Sequence, residues 1–173
     1  MFSKGEYIIC GSNGVCMIED ICSPPLAGVD KKRKYYALQP VYQKTCTVYT
    51  PVDNEKVIMR KILSHEEASD LINSVVTIEM IWDANDKVRE SRYREAIRTF
   101  ECNELIRIIK SLYIRKDERF AEGKKSLTTD DKYLHQAEEL LYGEIAVALS
   151  MTKEAVCQCI LERVRPLATA MAK

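Results

Sequence analysis

The sequence predicts an α+β chain, with a small SH3- or Tudor-like β barrel at residues 1–60 and an all-α bundle of about five helices at residues 61–173. Three observations predict it. Short β-type runs broken by turn residues fill positions 1–60, helical periodicity with recognisable caps begins at Ser64, and charge is unevenly spread over the helical half.

The β elements come first. Tyr7-Ile8-Ile9-Cys10 is an apolar run, and Gly11-Ser12-Asn13-Gly14 behind it has turn composition. A second run, residues 15–21, is broken by Pro24-Pro25 and Gly28. Tyr35-Tyr36-Ala37-Leu38 resumes the pattern, and Thr45-Cys46-Thr47-Val48-Tyr49-Thr50 ends at Pro51. Four or five short strands with tight connections, in about 60 residues, suit a small barrel.

Helices follow. Ser64-His65-Glu66-Glu67 has capping-box form and opens a short helix to about Asn73. Asp83 or Asn85 caps a second, from about Lys87 to Thr99. Asn103 is expected to open a third, 104–121, which Gly123 closes. Thr128 or Thr129 is expected to cap a fourth, 130–149. A turn at 150–152 precedes the fifth, from Lys153 to about Val164, expected to stop near Pro166. In the third helix Leu105, Ile108, Ile109 and Leu112 share an arc of about 100°, opposite Arg107, Lys110, Ser111 and Arg115. In the second, Tyr93, Ala96, Ile97 and Phe100 form the apolar face, and Lys87, Ser91, Arg94 and Arg98 fall on one line.

Charge sharpens this division. The chain is neutral overall, which argues against a general polyanion binder. Yet residues 61–86 carry 1 basic and 6 acidic side chains, and residues 87–125 carry 12 and 7. A confined basic segment suits local phosphate contact, although a solvated mixed-charge helix has the same composition. No apolar run approaches the roughly 20 residues that cross a bilayer, and the start has no signal-peptide core. The seven cysteines form no Cys-x-x-Cys and are expected to be reduced thiols in a cytoplasmic protein without membrane contact.

Catalytic motifs are missing from the sequence. His65 and His135 lie far apart, and Cys157-x-Cys159 on a helix points its thiols apart. Cys10, Cys16 and Cys22 recur every six residues without a fourth ligand. There is no phosphate-binding glycine loop and no nucleophile elbow. A non-enzyme without cofactor or metal is expected. Residues 145–159 resemble a helix-turn-helix, but Lys153 is the only cation near the start of the would-be recognition helix. An αα-hairpin closing the bundle is the expectation, and a sequence-specific repressor remains the alternative.

A β module followed by a helical bundle with a basic second segment resembles the CarD/CdnL family of bacterial RNA polymerase-binding regulators. The resemblance is carried by Phe2-Ser3-Lys4-Gly5-Glu6-Tyr7-Ile8-Ile9 through Gly14-Val15, by Lys34-Tyr35-Tyr36-Ala37-Leu38 and by Thr47-Val48-Tyr49-Thr50-Pro51. In the helical half it is carried by Arg92-Tyr93-Arg94, Leu112-Tyr113-Ile114-Arg115, Glu118-Arg119, and Ala137-Glu138 through Leu141-Tyr142-Gly143-Glu144-Ile145-Ala146.

The resemblance implies two contacts. Thr47, Val48 and Tyr49 would belong to a strand that adds to the β-subunit lobe of RNA polymerase. Arg89, Arg92, Arg94 and Arg98, with Lys87 and Lys132, would hold promoter DNA upstream of the melted region, largely without reading its sequence, and so stabilise the open complex. The chain would act as a monomer. Two departures stand out. Tyr49 occupies a position where better-known members carry arginine. Their tryptophan wedge stands where this chain has Arg89 or Glu90, and the one tryptophan here, Trp82, lies earlier. Trp82 is a candidate wedge at a distorted base step or a core cover, and the sequence leaves both open. An interaction adaptor without nucleic-acid binding is the third alternative.

Overall fold

A computed structural model describes residues 1–24, 30, 32–43 and 46–171 of the chain. Pro25, Gly28 and Thr45, singled out above, lie outside the described residues. The chain divides into two compact units, Met1–Ile62 and Leu63–Lys173.

The first unit is a five-stranded antiparallel sheet with order β4-β3-β2-β1-β5. Its strands are β1 (Tyr7–Cys10), β2 (Val15–Cys22), β3 (Tyr35–Pro40), β4 (Val48–Pro51) and β5 (Met59–Lys61). The last strand ends just past residue 60, so the unit extends to Ile62. Alternation decides what each strand buries: Ile8, Cys10, Cys16, Ile18, Tyr36 and Leu38 point to one face and form its core. The run Ile18-Glu19-Asp20-Ile21 breaks strict alternation, and a register shift between Ile18 and Asp20 absorbs it. The extra residue returns Ile21 to the core side, where it pairs with Tyr36. Phe2 packs on the Tyr36 ring at 5.9 Å and donates its amide to the Tyr36 hydroxyl.

The second unit holds α1 (His65–Ser74), α2 (Asp86–Thr99), α3 (Cys102–Ala121), α4 (Thr128–Ala148) and α5 (Lys153–Met171). The α1 capping box is complete: Ser64 Oγ accepts from the Glu67 amide, and Glu67 accepts from the Ser64 amide. Asn85, not Asp83, caps α2, accepting from the amides of Lys87 and Val88. Asp83 instead accepts from the Asn85 amide at 2.9 Å and sets the approach to the cap.

Four expectations need correction. The helix α3 begins at Cys102 behind Glu101, without a side-chain cap, and α4 begins at Thr128 behind Leu127, also uncapped, so Asn103, Thr128 and Thr129 are not caps. Both starts are set by packing: Cys102 and Asp130 are buried in their first turns. Third, α5 runs through Pro166 to Met171. Pro166 lies on the solvent side while Val164 and Ala168 are buried, so water solvates the orphaned carbonyl and packing continues the helix. Fourth, the polar arc of α3 is not a solvent face: Lys110 and Ser111 are each only 6% exposed. The α3 helix packs on α2, α4 and α5 and is the axis of the bundle.

The α3 helix closes as expected. Gly123 (φ 72°) donates to Phe120 and Lys124 to Arg119, the paired bonds of a left-handed C-terminal stop. Ser150 (φ 53°) and Met151 repeat this arrangement at the end of α4. The fully buried Glu144 enters the sequence reading only within the stretch 141–146. It accepts from the Leu63 amide at 3.0 Å and from Cys102 Sγ at 3.3 Å, fixing the entry to the helical unit. All seven cysteines are free thiols. No helix among the described residues is long and apolar enough to cross a membrane.

Candidate functional site

In the β unit the candidate element is β4. It lies at one end of the sheet and, among the described residues, pairs only with β3, through Tyr35↔Pro51, Tyr36↔Thr50, Ala37↔Tyr49 and Leu38↔Val48. The Val52 amide donates to the Lys34 carbonyl at 3.0 Å, which fixes which pairs exchange hydrogen bonds. By alternation Thr50 and Val48 bond inward to β3, and the N–H and C=O of Tyr49 point to the open side. Pro51 also has its nitrogen on that side, the one place in a sheet where proline costs no ladder bond. Thr47 precedes the strand rather than belonging to it, because regular pairing begins at Val48.

In the helical unit the candidate site centres on residues 75–85, an irregular segment between α1 and α2. Its apolar side chains divide: Val75 and Ile81 are buried, whereas Val76 is exposed and Trp82 is 70% exposed. Of the two readings of Trp82, base-step wedge and core cover, its exposure excludes the core cover.

Side chains from the helices satisfy the segment's backbone. Lys110 Nζ donates to the carbonyls of Val76 (2.9 Å) and Ile78 (2.6 Å). Arg107 Nε donates to Glu79 O at 3.2 Å. Ser111 Oγ accepts from the Ile81 amide at 2.8 Å and donates to Arg107 O at 2.6 Å. From α2, Arg92 donates to Trp82 O at 3.1 Å and Arg89 to Asp83 O at 2.7 Å. Burial holds the Lys110 ammonium below the ordinary lysine range.

The sequence-predicted DNA residues therefore separate. Arg89 is 5% exposed and ion-paired to Asp86, which also meets Arg115, itself paired to Asp130. It is a structural residue rather than a phosphate ligand, because it extends the Tyr93–Ala96–Phe100 stripe by one turn and so faces α3. The Arg89 guanidinium holds the Asp86 carboxyl below its usual range, and burial pushes the Tyr93 hydroxyl up to about 12. Arg89 Nε and the Tyr93 hydroxyl have no hydrogen-bond partner among the described residues, and both side chains line a small cavity under Trp82. Arg92 is half exposed and shares itself between the Trp82 carbonyl and Asp83 (3.4 Å). Arg94 is exposed and pairs with Glu90 at 2.9 Å. Lys87 and Arg98 are exposed, and their side chains have no ion pair among the described residues. Lys132 is exposed on α4, with its ammonium 5.7 Å from the Tyr133 ring centre. The Tyr133 hydroxyl donates to Glu90 at 3.1 Å, so α4 is tied to the outer face of α2.

Lys87, Ser91, Arg94 and Arg98 all lie on that exposed face. The last lies eleven positions after the first, a span of about 16 Å along a helix. The arrangement presents three cations in a row, with a rigidly backed indole at the N-terminal end of the same helix. Lys110, Ser111 and Arg107, which buttress Trp82, were not foreseen as functional. In the sequence they form the polar arc of α3, and only the burial of Lys110 and Ser111 in the fold shows that they need internal partners.

His65 opens α1 and His135 is exposed on α4. Among the described residues no cluster of three His, Cys, Asp or Glu has the arrangement of a metal site.

Comparison with known proteins bears on the first unit. Residues 2–63 match the family model of the CarD-like/TRCF RID domain. No curated protein matches the chain. The matched span coincides with the five-stranded sheet and stops where the helices begin. That domain family interacts with the RNA polymerase β subunit. The N-terminal unit of this chain is thus similar to the CarD-like/TRCF RID domain, which is consistent with the resemblance to CarD/CdnL regulators.

Proposed function

We propose that the chain is a non-enzymatic transcription regulator of the cytoplasm. It acts as a single chain and without cofactor, bridging RNA polymerase and promoter DNA. The open side of β4 adds to a strand of the β-subunit lobe, with Tyr49 supplying both backbone bonds. The helical unit lays Lys87, Arg94, Arg98 and Lys132 on the phosphates upstream of the melted region. Such contacts position without reading sequence. Trp82 stacks at the distorted step beside them and holds the open complex.

The observation that carries this reading is Trp82: an indole 70% exposed, on a segment fastened by side chains of two helices, at the start of a helix with an outward cation row. An exposed large aromatic loses apolar burial in the free protein, and a surface that contacts a partner recovers it. A second feature favours the αα-hairpin over a sequence-reading helix-turn-helix. Lys153, the cation at the head of α5, pairs with Glu139 at 2.8 Å, and Gln158 donates to Glu162.

Open-complex lifetime, measured with the full chain and its Trp82→Ala variant on one promoter, tests the proposal. The wild type should lengthen the lifetime and the variant should lose most of that effect at unchanged thermal midpoint. A variant as effective as the wild type would overturn the role of Trp82, and failure of the full chain to bind a β-lobe fragment would overturn the bridge.

A further inference from the structure

The geometry points to Lys110 and Ser111 of α3 as positioning residues for Trp82. They would set the attitude of the indole without touching the duplex. The inference rests on the reading of Trp82 as a DNA contact.

The argument begins with the backbone of residues 75–85. The segment is neither helix nor strand, so its carbonyls and amides lack the partners that regular structure provides. Water would serve an exposed loop equally well. Here the partners are two adjacent side chains of the central helix, both buried, reaching Val76, Ile78 and Ile81 at 2.6–2.9 Å. Removing a lysine from water is costly, and among the described residues these carbonyls are the hydrogen-bond partners of its ammonium. An apolar residue at 110 would leave them unsatisfied and free the segment to move. Ile81, the residue just before the tryptophan, is fixed on both sides: its side chain is buried and its amide is bound to Ser111. Arg92 secures the Trp82 carbonyl from α2. The indole that follows is left in solvent. A rigid backbone that ends in an exposed ring is suited to stacking, because little conformational freedom remains to be lost on contact.

The test uses the full chain, whose single tryptophan makes fluorescence specific to position 82. Two readouts are taken: time-resolved anisotropy of the free protein, and Kd for a duplex containing a short unpaired bubble. Lys110→Met should raise the mobility of the indole and raise Kd about five- to tenfold, as expected if the competent conformer falls to about a tenth of the population. In a Trp82→Ala background the same substitution should change Kd less than twofold, because the residue it positions is gone. Equal losses in both backgrounds would show that Lys110 supports the fold in general and would overturn the inference, as would unchanged anisotropy. If Lys110→Met does not fold, Ser111→Ala, which deletes one side-chain oxygen, serves in its place, with a loss of about two- to threefold expected. A Trp82→Ala variant with wild-type Kd would sink the DNA reading instead, and the anisotropy would still decide whether Lys110 holds the ring.

Discussion

Helices α2 and α3 carry similar side chains and use them in opposite directions. Both are amphipathic, and both have arginines and lysines spaced by three and four residues. On α2 the row Lys87, Arg94 and Arg98 faces water. On α3 the buried Lys110 and the half-buried Arg107 and Arg115 turn to protein partners, the backbone of 75–85 and the carboxylates of Asp86 and Asp130. The difference comes from depth. The α2 helix covers the bundle on one side and keeps an outer face, whereas α3 is enclosed, and its cations cannot remain buried without partners. Positive charge in a sequence therefore marks a ligand surface only where the helix has a free side.

Breaking the outer row should have the largest effect. Replacing Lys87, Arg94 and Arg98 together by Glu should weaken duplex binding by about a hundredfold or more at moderate salt, because attraction becomes repulsion at three phosphates. The thermal midpoint should hardly move, since all three side chains are exposed. Gel shift and differential scanning calorimetry on the same preparations check both halves.

Arg89→Ala should behave like an α3 change although it lies on α2. A buried guanidinium that binds Asp83 O and Asp86 is lost, and urea unfolding should show a stability loss of about 2–3 kcal/mol. A variant of wild-type stability would mean that Arg89 is not part of the bundle interior.

Trp82→Ala should do the reverse: duplex affinity falls roughly tenfold, in the range of one lost stacking contact, and stability changes by about 0.5 kcal/mol or less. Equal losses of affinity and stability would return Trp82 to the core.

The smallest change is expected at the sheet. Tyr49→Pro removes the one outward N–H on β4 and should weaken β-lobe binding about fivefold, the size of one backbone hydrogen bond. Circular dichroism should be unaltered, because Pro51 already occupies an equivalent position on the same strand.

Much of this was legible in the sequence, and the exceptions have a common cause. Local chemistry sufficed for the capping box at Ser64, for the Gly123 stop and for the β-to-helix change near residue 60. Long-range burial did not show. The residue Pro166 reads as a terminator, yet flanking contacts by Val164 and Ala168 carry α5 past it. The starts of α3 and α4 depend on buried Cys102 and Asp130 rather than on caps. At the candidate site, the line Lys87–Arg94–Arg98 was visible as a period. Arg89 was misplaced because its charge hid its position on the Tyr93 stripe. The exposure of Trp82 follows from hydrogen bonds made with residues about 30 positions later, and no local pattern records those.

The salt dependence of duplex binding by the full chain tests the central claim most directly. If Lys87, Arg94 and Arg98 each sit on a phosphate, changing all three to Gln should reduce the slope of log K against log salt by about 2.7, near 0.9 per contact, with the protein still folded. An unchanged slope would mean that the outer row of α2 meets no duplex, and the account of this unit as a DNA-binding module would be wrong.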